Sequence, residues 1–476
     1  MIVLRDLLEI EDASGILDFH FEFDDILMWP FIRFYLHGIP IAREYGLHDL
    51  GEKKARPGLK EKMVYLKNTI RGNPYRKTLK AHYDIIMFCS GITNIRKDGQ
   101  YFNRLSDYFA FLNKEKTLII EDSVRRMYHT PRAFPYVGYH DFIKASALIR
   151  SRFRRKSEKD KKTAKDLLDY LEDNYPYNLD KKDLAFLESI LLRLSGRLQA
   201  YYDAYNRLYD RFQPSVIFQE DACYGGRSYI AKWAKDRDIW VCELQHGLIS
   251  GNHAAYNYGK AIFDSSVYNE YLPDYFLSYG EYWNDLIQLP VEKITIGNPN
   301  YWENTKTSGL YEKRDARIYL LVISGGKSAG AIKRLVADLA QISDEKRVKV
   351  FFRPHPYERL VLKDLFPDIV ENDRITIDDS EDVYQSLGRS DFVAGNYSTV
   401  LFEAIGICKS VFVIDQPATD LYIPQGVIKR FSSAEELLGL IESYDPSENI
   451  DKNAVWQTDW ESRYRHFIEG LIGKKT

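Results

Sequence analysis

The feature that most restricts this chain is a series of short apolar runs that each end on a polar tip. RIYLLVISGG (317–326), VKVFFRPHP (348–356), DFVAGN (391–396) and SVFVID (410–415) follow one another through the last third of the sequence. Runs rich in β-branched and aromatic residues, without polar alternation, are strands covered on both faces, as parallel sheets require. Between them, AGAIKRLVADLAQI (329–342), EDVYQSLGRS (381–390) and STVLFEAIGI (398–407) are helical in pattern. Strand, crossing helix and strand make a βαβ unit, so this stretch is expected to fold as an α/β domain around a parallel sheet.

The same grammar appears earlier in the chain. YDIIMFCS (83–90) and TLIIEDS (117–123) are strands on either side of FNRLSDYFAFLNK (102–114), which is patterned as a helix. QPSVIFQED (213–221), IWVCELQHG (239–247), DYFLSYG (274–280) and EKITIGNPNYWE (292–303) are further strands, with GGRSYIAKWAKDRD (225–238) a helix. HFEFDDILMWPFIRFYL (20–36) is consistent with a strand leading into a helix, Pro30 near its first turn. At 476 residues the chain exceeds one compact core. The expected division is an N-terminal Rossmann-like domain over 1–305 with a helical insertion at about 148–212, and a C-terminal Rossmann-like domain over 306–455. A tail helix within 456–476 is expected to pack back on the N-terminal domain.

Charge and cysteine content narrow the function classes. With 66 basic and 69 acidic side chains the net charge is −3, so no global field favours nucleic acid. Cys89, Cys223, Cys242 and Cys408 show no CxxC spacing, which fits a reducing compartment and no zinc site. No apolar run is long enough to span a bilayer, and MIVLRDLLEIEDASG lacks the signal-peptide pattern. The expectation is a cytoplasmic protein. Basic clusters at 53–80 and 150–156 fit either a solvated helical surface or peripheral contact with an anionic membrane.

In parallel sheets ligands bind beyond the carboxyl ends of the strands. That rule selects Glu220, Asp221, Gln245, His246 and Gly247 in the first half, and Ser324, Gly325, Gly326, Lys327, Arg353, His355, Asn396, Ser398 and Thr399 in the second. SGGKSAG (324–330) is not a P-loop, because Leu321 stands where its first glycine is required. Its glycines admit phosphate contact at a helix start or a plain turn. In RPHP (353–356) two prolines stiffen the backbone around His355, next to the permanent charge of Arg353. Ser398 and Thr399 supply capping hydroxyls, and Glu403 follows in an otherwise apolar helix, where a carboxylate needs a partner. A ribose diol and a nearby basic side chain are both possible partners. Asn252 and His253 lie in a loop expected to cover the crevice that the QHG imidazole enters.

Two α/β domains in series, GNP at 297–299 and STVLFEAIGICKSVFV at 398–413 resemble GT-B glycosyltransferases and the related UDP-GlcNAc 2-epimerases. QHG at 245–247 together with RPHP at 353–356 is similar to bacterial enzymes of capsule, lipopolysaccharide and teichoic-acid assembly: Kdo transferases, polysialyltransferases and CDP-glycerol glycerophosphotransferases. The resemblance implies a GT-B fold, two Rossmann-like domains whose parallel sheets face an interdomain cleft. It implies a nucleotide-sugar donor (CMP-, CDP-, UDP-, GDP- or dTDP-linked) and a glycan or lipid-linked acceptor, with no metal or further cofactor required. Carried over, Arg353, His355, Ser398 and Thr399 contact donor phosphates and Glu403 holds the ribose. Ser324, Gly325, Gly326, Lys327 and Asn396 line the same donor side. His246 is either the general base on the acceptor hydroxyl or a stabiliser of the donor's reacting end, with Glu220 or Asp221 serving near the sugar in retaining chemistry. Gln245, Gly247, Asn252 and His253 are acceptor or sugar contacts. A nucleotide-sugar 2-epimerase, a CDP-glycerol-type polyol-phosphate transferase and a non-catalytic scaffold of the same fold are the alternatives. The epimerase pattern expects His-Glu-Ala-Gly where Gln245-His246-Gly247 stand, and CDP-glycerol enzymes follow His-Gly with threonine where Leu248 stands.

Overall fold

A computed structural model describes residues 2–47, 58–152, 157–308, 315–326, 329–356, 358–380, 382–424 and 426–473. The apolar runs form two parallel sheets. The first contains β1 (Ile85–Ser90), β2 (Thr117–Asp122), β3 (Val137–Tyr139), β4 (Val216–Gln219), β5 (Trp240–Leu244), β6 (Tyr275–Ser278) and β7 (Glu292–Thr295), in the order β3-β2-β1-β4-β5-β6-β7. The second contains β8 (Ile318–Ile323), β9 (Val348–Arg353), β10 (Ile375–Ile377), β11 (Phe392–Gly395), β12 (Ser410–Ile414) and β13 (Lys429–Phe431), in the order β10-β9-β8-β11-β12-β13. Every neighbouring pair within the two sheets is parallel. Both sheets therefore follow the doubly wound order that starts 3-2-1-4-5, and these are the two Rossmann-like domains of a GT-B fold. In each, the order reverses beside the first strand, between β1 and β4 and between β8 and β11. Such a reversal opens a crevice at the carboxyl edge.

Helices enclose the sheets. Pro30 sits in the first turn of α1 (Trp29–Glu44), where a missing N–H costs nothing. On α1, Arg33 is buried against Glu11, Nε to Oε1 at 2.7 Å. The Arg33 guanidinium and a buried His37 hold the Glu11 carboxyl down at about 2 against the opposing effect of burial. Glu11 Oε2 also accepts the Gly259 N–H at 2.9 Å, which fastens the N-terminal segment to the loop after β5. After α2 (Leu59–Arg71) the first sheet begins, and α3 (His140–Ser151), α4 (Glu158–Asn174), α5 (Lys181–Ser195) and α6 (Leu198–Phe212) fill the interval between β3 and β4. Asp180 and Asp183 form a reciprocal capping box at the start of α5. The tail helix α7 (Trp460–Gly473) lies on the first sheet, Tyr464 against Phe109 and Phe467 against Tyr275.

Several local readings change. Residues 20–27 hold only the isolated bridge between His20 and Leu27, not a strand. In 102–114 the helix is confined to Asp107–Leu112, because Gln100–Asn103 pairs with Asn94–Lys97 as a hairpin. The strand expected over 292–303 stops at Thr295, and Pro299 opens a helix, Pro299–Ser308. The helix expected over 398–407 is only Thr399–Glu403.

The carboxyl edges of the two sheets meet. Trp456 stacks on Tyr301 at 4.6 Å and donates from its indole N–H to the Phe402 carbonyl at 3.0 Å. Trp283, just beyond β6, packs on Phe402 at 4.8 Å. Ser250, beyond β5, donates to the Leu421 carbonyl, beyond β12, at 2.6 Å. Gly297 lies against the Gln457 carbonyl with positive φ, and Asn298 accepts the Tyr301 N–H at 3.1 Å. The GNP sequence thus caps a helix at the seam between the lobes.

Candidate active site

The first sheet gathers ionisable groups at its carboxyl edge. Glu220 directly follows β4 at the reversal point, and its Oε2 accepts the Ser90 N–H from the end of β1 at 2.6 Å. Burial, reinforced by the neighbouring Asp221 charge, pushes the Glu220 carboxyl up to about 7 although His246 opposes the shift. Asp221 adopts a left-handed backbone (φ 63°), which turns it out of the strand direction towards the imidazole. Its Oδ1 lies 3.2 Å from His246 Nε2, and Glu243 Oε1 lies 3.8 Å from Nδ1. Burial works against the imidazolium, but the three carboxylates of Asp221, Glu243 and Glu220 outweigh it and raise the His246 pKa. Glu243 is fully buried and accepts from the Cys223 N–H and the Tyr256 hydroxyl. The Tyr224 hydroxyl bridges His246 and His253, 3.4 Å and 3.1 Å from their Nε2 atoms.

A second charged group adjoins this cluster. Asp122, at the end of β2, pairs with Arg227 Nη1 at 2.6 Å, with His140 and with Lys144. Burial alone would raise the Asp122 carboxyl, but His140 and the two cations hold it well below the ordinary range. Arg227 in turn stabilises the charged form of Glu220.

The second sheet treats its polar tips differently. Ser324 donates to Glu358 Oε1 at 2.8 Å, and Glu358 Oε2 accepts the His355 N–H at 2.8 Å. Asn396 Oδ1 accepts the Gly325 N–H at 2.8 Å, closing the β8/β11 reversal, while the Gly326 N–H points to Ser324 Oγ at 3.4 Å. The glycines are needed because side chains crowd them. A Cβ at Gly325 would fall 2.7 Å from Asn396 Oδ1, and one at Gly326 2.7 Å from the His355 ring. Of the two alternatives at these glycines, phosphate contact or a plain turn, the structure has both N–H groups directed into the turn. Lys327 lies outside the described residues.

Arg353, expected at donor phosphates, is paired within its own lobe: its Nη1 donates to Asp378 Oδ2 at 2.8 Å, the Ser380 carbonyl at 3.0 Å and Ser386 Oγ at 2.9 Å. Gln245, expected at the sugar or acceptor, is fully buried; its Oε1 accepts the Tyr279 N–H at 2.9 Å and its Nε2 donates to the Gly247 carbonyl at 3.0 Å, which shapes the strand tip. The Asn252 amide joins the Leu4 N–H to the Asp420 carbonyl across the lobes. Gly247 faces open space, and His253 is turned onto Tyr224. Ser398 caps the five-residue helix through the Val400 N–H at 3.3 Å, with half-buried Thr399 next in the chain.

Glu403 is buried at the seam, and its Oε2 has no hydrogen-bond partner among the described residues. Burial raises its pKa, with Arg104 of the other lobe opposing and Asp382 reinforcing. Arg104 is exposed and forms no side-chain hydrogen bond or ion pair with any described residue. Glu403, Arg104 and Glu220 all act electrostatically on the buried Tyr279 hydroxyl, where burial dominates and raises the pKa. Tyr384, also buried with an unpartnered hydroxyl among the described residues, senses Glu403 and Arg104 too. Tyr279 thus stands between the cluster of the first lobe and the carboxylate of the second.

Arg104, Tyr224, Glu243 and Tyr279 were not selected from sequence. Arg104 follows Asn103, whose Oδ1 accepts the Leu105 and Ser106 N–H groups, both at 3.0 Å, in a side-chain-capped turn. Asn-Arg before such a turn was the available signal. No group of three or more His, Cys, Asp or Glu among the described residues is arranged to hold a metal ion. A cavity of about 670 Å³ lies away from the strand ends, between α3 and α5.

No protein-family model and no curated protein matches the sequence. Among solved structures, a UDP-GlcNAc 2-epimerase of Methanocaldococcus jannaschii in complex with UDP-GlcNAc and UDP is 15% identical, over 82% of this chain and 99% of that one, with a TM-score of 0.42. MurG of Acinetobacter baumannii is 12% identical over 82% and 99%, with a TM-score of 0.40. A glycosyltransferase of Rickettsia africae is 12% identical over 83% and 99%, with a TM-score of 0.43. These values describe a distant similarity of chain path.

Proposed function

We propose that the chain is an enzyme acting on a nucleotide sugar, and specifically a glycosyltransferase that moves the sugar to a hydroxyl of a bacterial surface glycan or its lipid-linked precursor. One observation carries this reading. The reversal point of the first sheet holds a carboxyl raised to about 7 beside a histidine–aspartate pair, and the seam it faces holds an exposed arginine and a buried, unsatisfied carboxylate from the opposite lobe. Glycosyl transfer asks for both halves. A proton must leave the acceptor hydroxyl as its oxygen bonds the anomeric carbon, and the nucleotide leaves with the electrons of the broken C–O bond.

Glu220 is the proton acceptor, since its pKa sits near the working pH where a base is most effective. His246, whose pKa Asp221 and Glu243 raise against the opposing effect of burial, steadies the Glu220 carboxylate when it carries a proton. Arg104 meets the leaving phosphate, the role the sequence had suggested for Arg353. Glu403 Oε2 accepts hydrogen bonds from a ribose diol, which would remove the penalty of its unsatisfied burial. A single displacement, in which the acceptor oxygen attacks the face opposite the leaving phosphate as Glu220 takes its proton, gives inversion at the anomeric carbon.

The test is a thermal-shift screen of CMP, CDP, UDP, GDP and dTDP, followed by transfer assays with the matching donor. UDP-GlcNAc, the ligand named with one structural neighbour, is the first donor to try. His246→Ala and Arg104→Ala should each lower transfer by at least a hundredfold; Arg104→Ala should melt like the parent, whereas His246→Ala, which removes the imidazole beside buried Glu243, should melt lower. Full activity in both variants overturns the reading. Conversion of a donor with no acceptor present would identify an epimerase instead.

A further inference from the structure

The surface of α2 is the reverse of an ordinary covering helix. Its apolar residues Leu59, Met63, Leu66 and Ile70 are 77%, 64%, 59% and 59% exposed. They fall at i, i+4, i+7 and i+11, a single stripe along the helix. The face turned to the protein is a different one, where Tyr65 stacks on Tyr128 and Thr69 hydrogen-bonds the Tyr128 hydroxyl at 3.2 Å. At 100° per residue, Lys62 flanks one side of the exposed stripe, and Lys60, Lys67 and Arg71 flank the other. The one acid, Glu61, is turned back to cap the helix through the Gly58 N–H at 2.8 Å.

A neighbouring element exposes a second apolar pair. The Gly72 carbonyl, just past α2, accepts the Tyr139 N–H just before α3 at 2.8 Å, while Tyr65 senses Asp141 and Lys144. The two helices therefore run antiparallel, which directs the far end of α3 towards the start of α2. That end exposes Leu148 (40%) and Ile149 (70%) beside Arg150 and Arg152. Leu148 and Arg152 also line the cavity of about 670 Å³, with Arg193 and Arg197 supplying further cations and Glu188 one acid.

An apolar stripe bordered by cations has one complementary surface: hydrocarbon just beneath a layer of negative charge. We propose that α2 and the adjoining end of α3 dock the protein on an anionic bilayer, the stripe entering the interface while the lysines and arginines meet phosphate headgroups. No helix among the described residues is long and apolar enough to cross a membrane, so this contact is in-plane. The proposal is independent of the reaction argued above.

Flotation of the full-length chain with vesicles tests it. Phosphatidylcholine vesicles are compared with vesicles containing about one-third phosphatidylglycerol, at low and high salt. Binding should be at least tenfold stronger to the anionic vesicles at low salt and fall as salt screens the attraction. The triple variant Met63→Gln, Leu66→Gln, Ile70→Gln should lose at least tenfold in binding. Lys60→Gln with Lys67→Gln should lose roughly fivefold per cation. Both should melt like the parent, since the altered side chains are exposed. Equal binding to both vesicle types, unaltered binding by both variants, or no flotation overturns the proposal. So does concentration-dependent self-association that the triple variant abolishes in the absence of lipid binding. A nucleotide-induced thermal shift that persists when flotation fails would sink the docking surface alone.

Discussion

The two reversal points occupy the same topological position yet carry opposite electrostatics. Between β1 and β4 the strand-end N–H is received by Glu220, an ionisable group raised to about 7 and surrounded by Asp221, His246 and Arg227. Between β8 and β11 the equivalent N–H is received by Asn396, which has no proton to exchange. Around it Ser324–Glu358 and Arg353–Asp378 pair within the lobe. One edge gathers ionisable groups, while at the other the Asn396 amide accepts the Gly325 N–H and its Nδ2 has no hydrogen-bond partner among the described residues. Topology provides the crevice; the residue capping it decides whether chemistry is available there.

The sharpest break of this comparison is Glu220→Gln. The amide keeps an acceptor for the Ser90 N–H but cannot take a proton, so turnover should fall on the order of a thousandfold with binding of the nucleotide retained. A variant that keeps full kcat would make the two edges equivalent. Next comes Arg353→Ala, which removes one of the two cations on buried Asp378 and leaves Arg389 at 3.1 Å, so it should cost about 2 kcal/mol in urea unfolding. Unchanged stability with lost nucleotide binding would instead return Arg353 to the phosphates.

The pH dependence of stability should differ at Glu220 for a reason with a definite sign. A carboxyl raised from 4.5 to about 7 favours the folded state in its protonated form, a contribution complete below pH 4.5 and lost as pH rises to 7. Glu220→Gln should therefore become more stable than the parent above pH 7, by up to about 3 kcal/mol, with the two converging at low pH. Glu11 runs the other way. Held at about 2, it contributes above pH 4.5 and its contribution disappears as pH falls towards 2. The smallest effect on stability is expected for Arg104→Ala, within about 0.5 kcal/mol of the parent, with nucleotide affinity lowered roughly tenfold, read by calorimetry. A large loss of stability would mean that Arg104 is a structural partner of Glu403.

The strands were legible because burial on both faces writes itself as uninterrupted apolar runs, and their tips followed from where those runs stop. Errors gathered where a pattern crosses a break: Pro299 begins a helix inside an apparent strand, and Asn103 ends a hairpin inside an apparent helix. At the candidate site, Glu220, Asp221 and His246 were found as strand tips and do lie together. Arg353 was also a strand tip, but whether an arginine is free depends on what faces it, and Asp378 comes from the loop after β10.

Sequence by itself determined the two parallel sheets and the short list of polar residues at their ends, because a strand's neighbours in the chain fix its burial pattern. It did not determine which of those residues remain available. Protonation, pairing and exposure depend on charges brought together from distant segments, as Arg104 acts on Glu403 and Glu243 lies 3.8 Å from His246. Those distances exist only after folding, when a low-dielectric seam makes each neighbouring charge count.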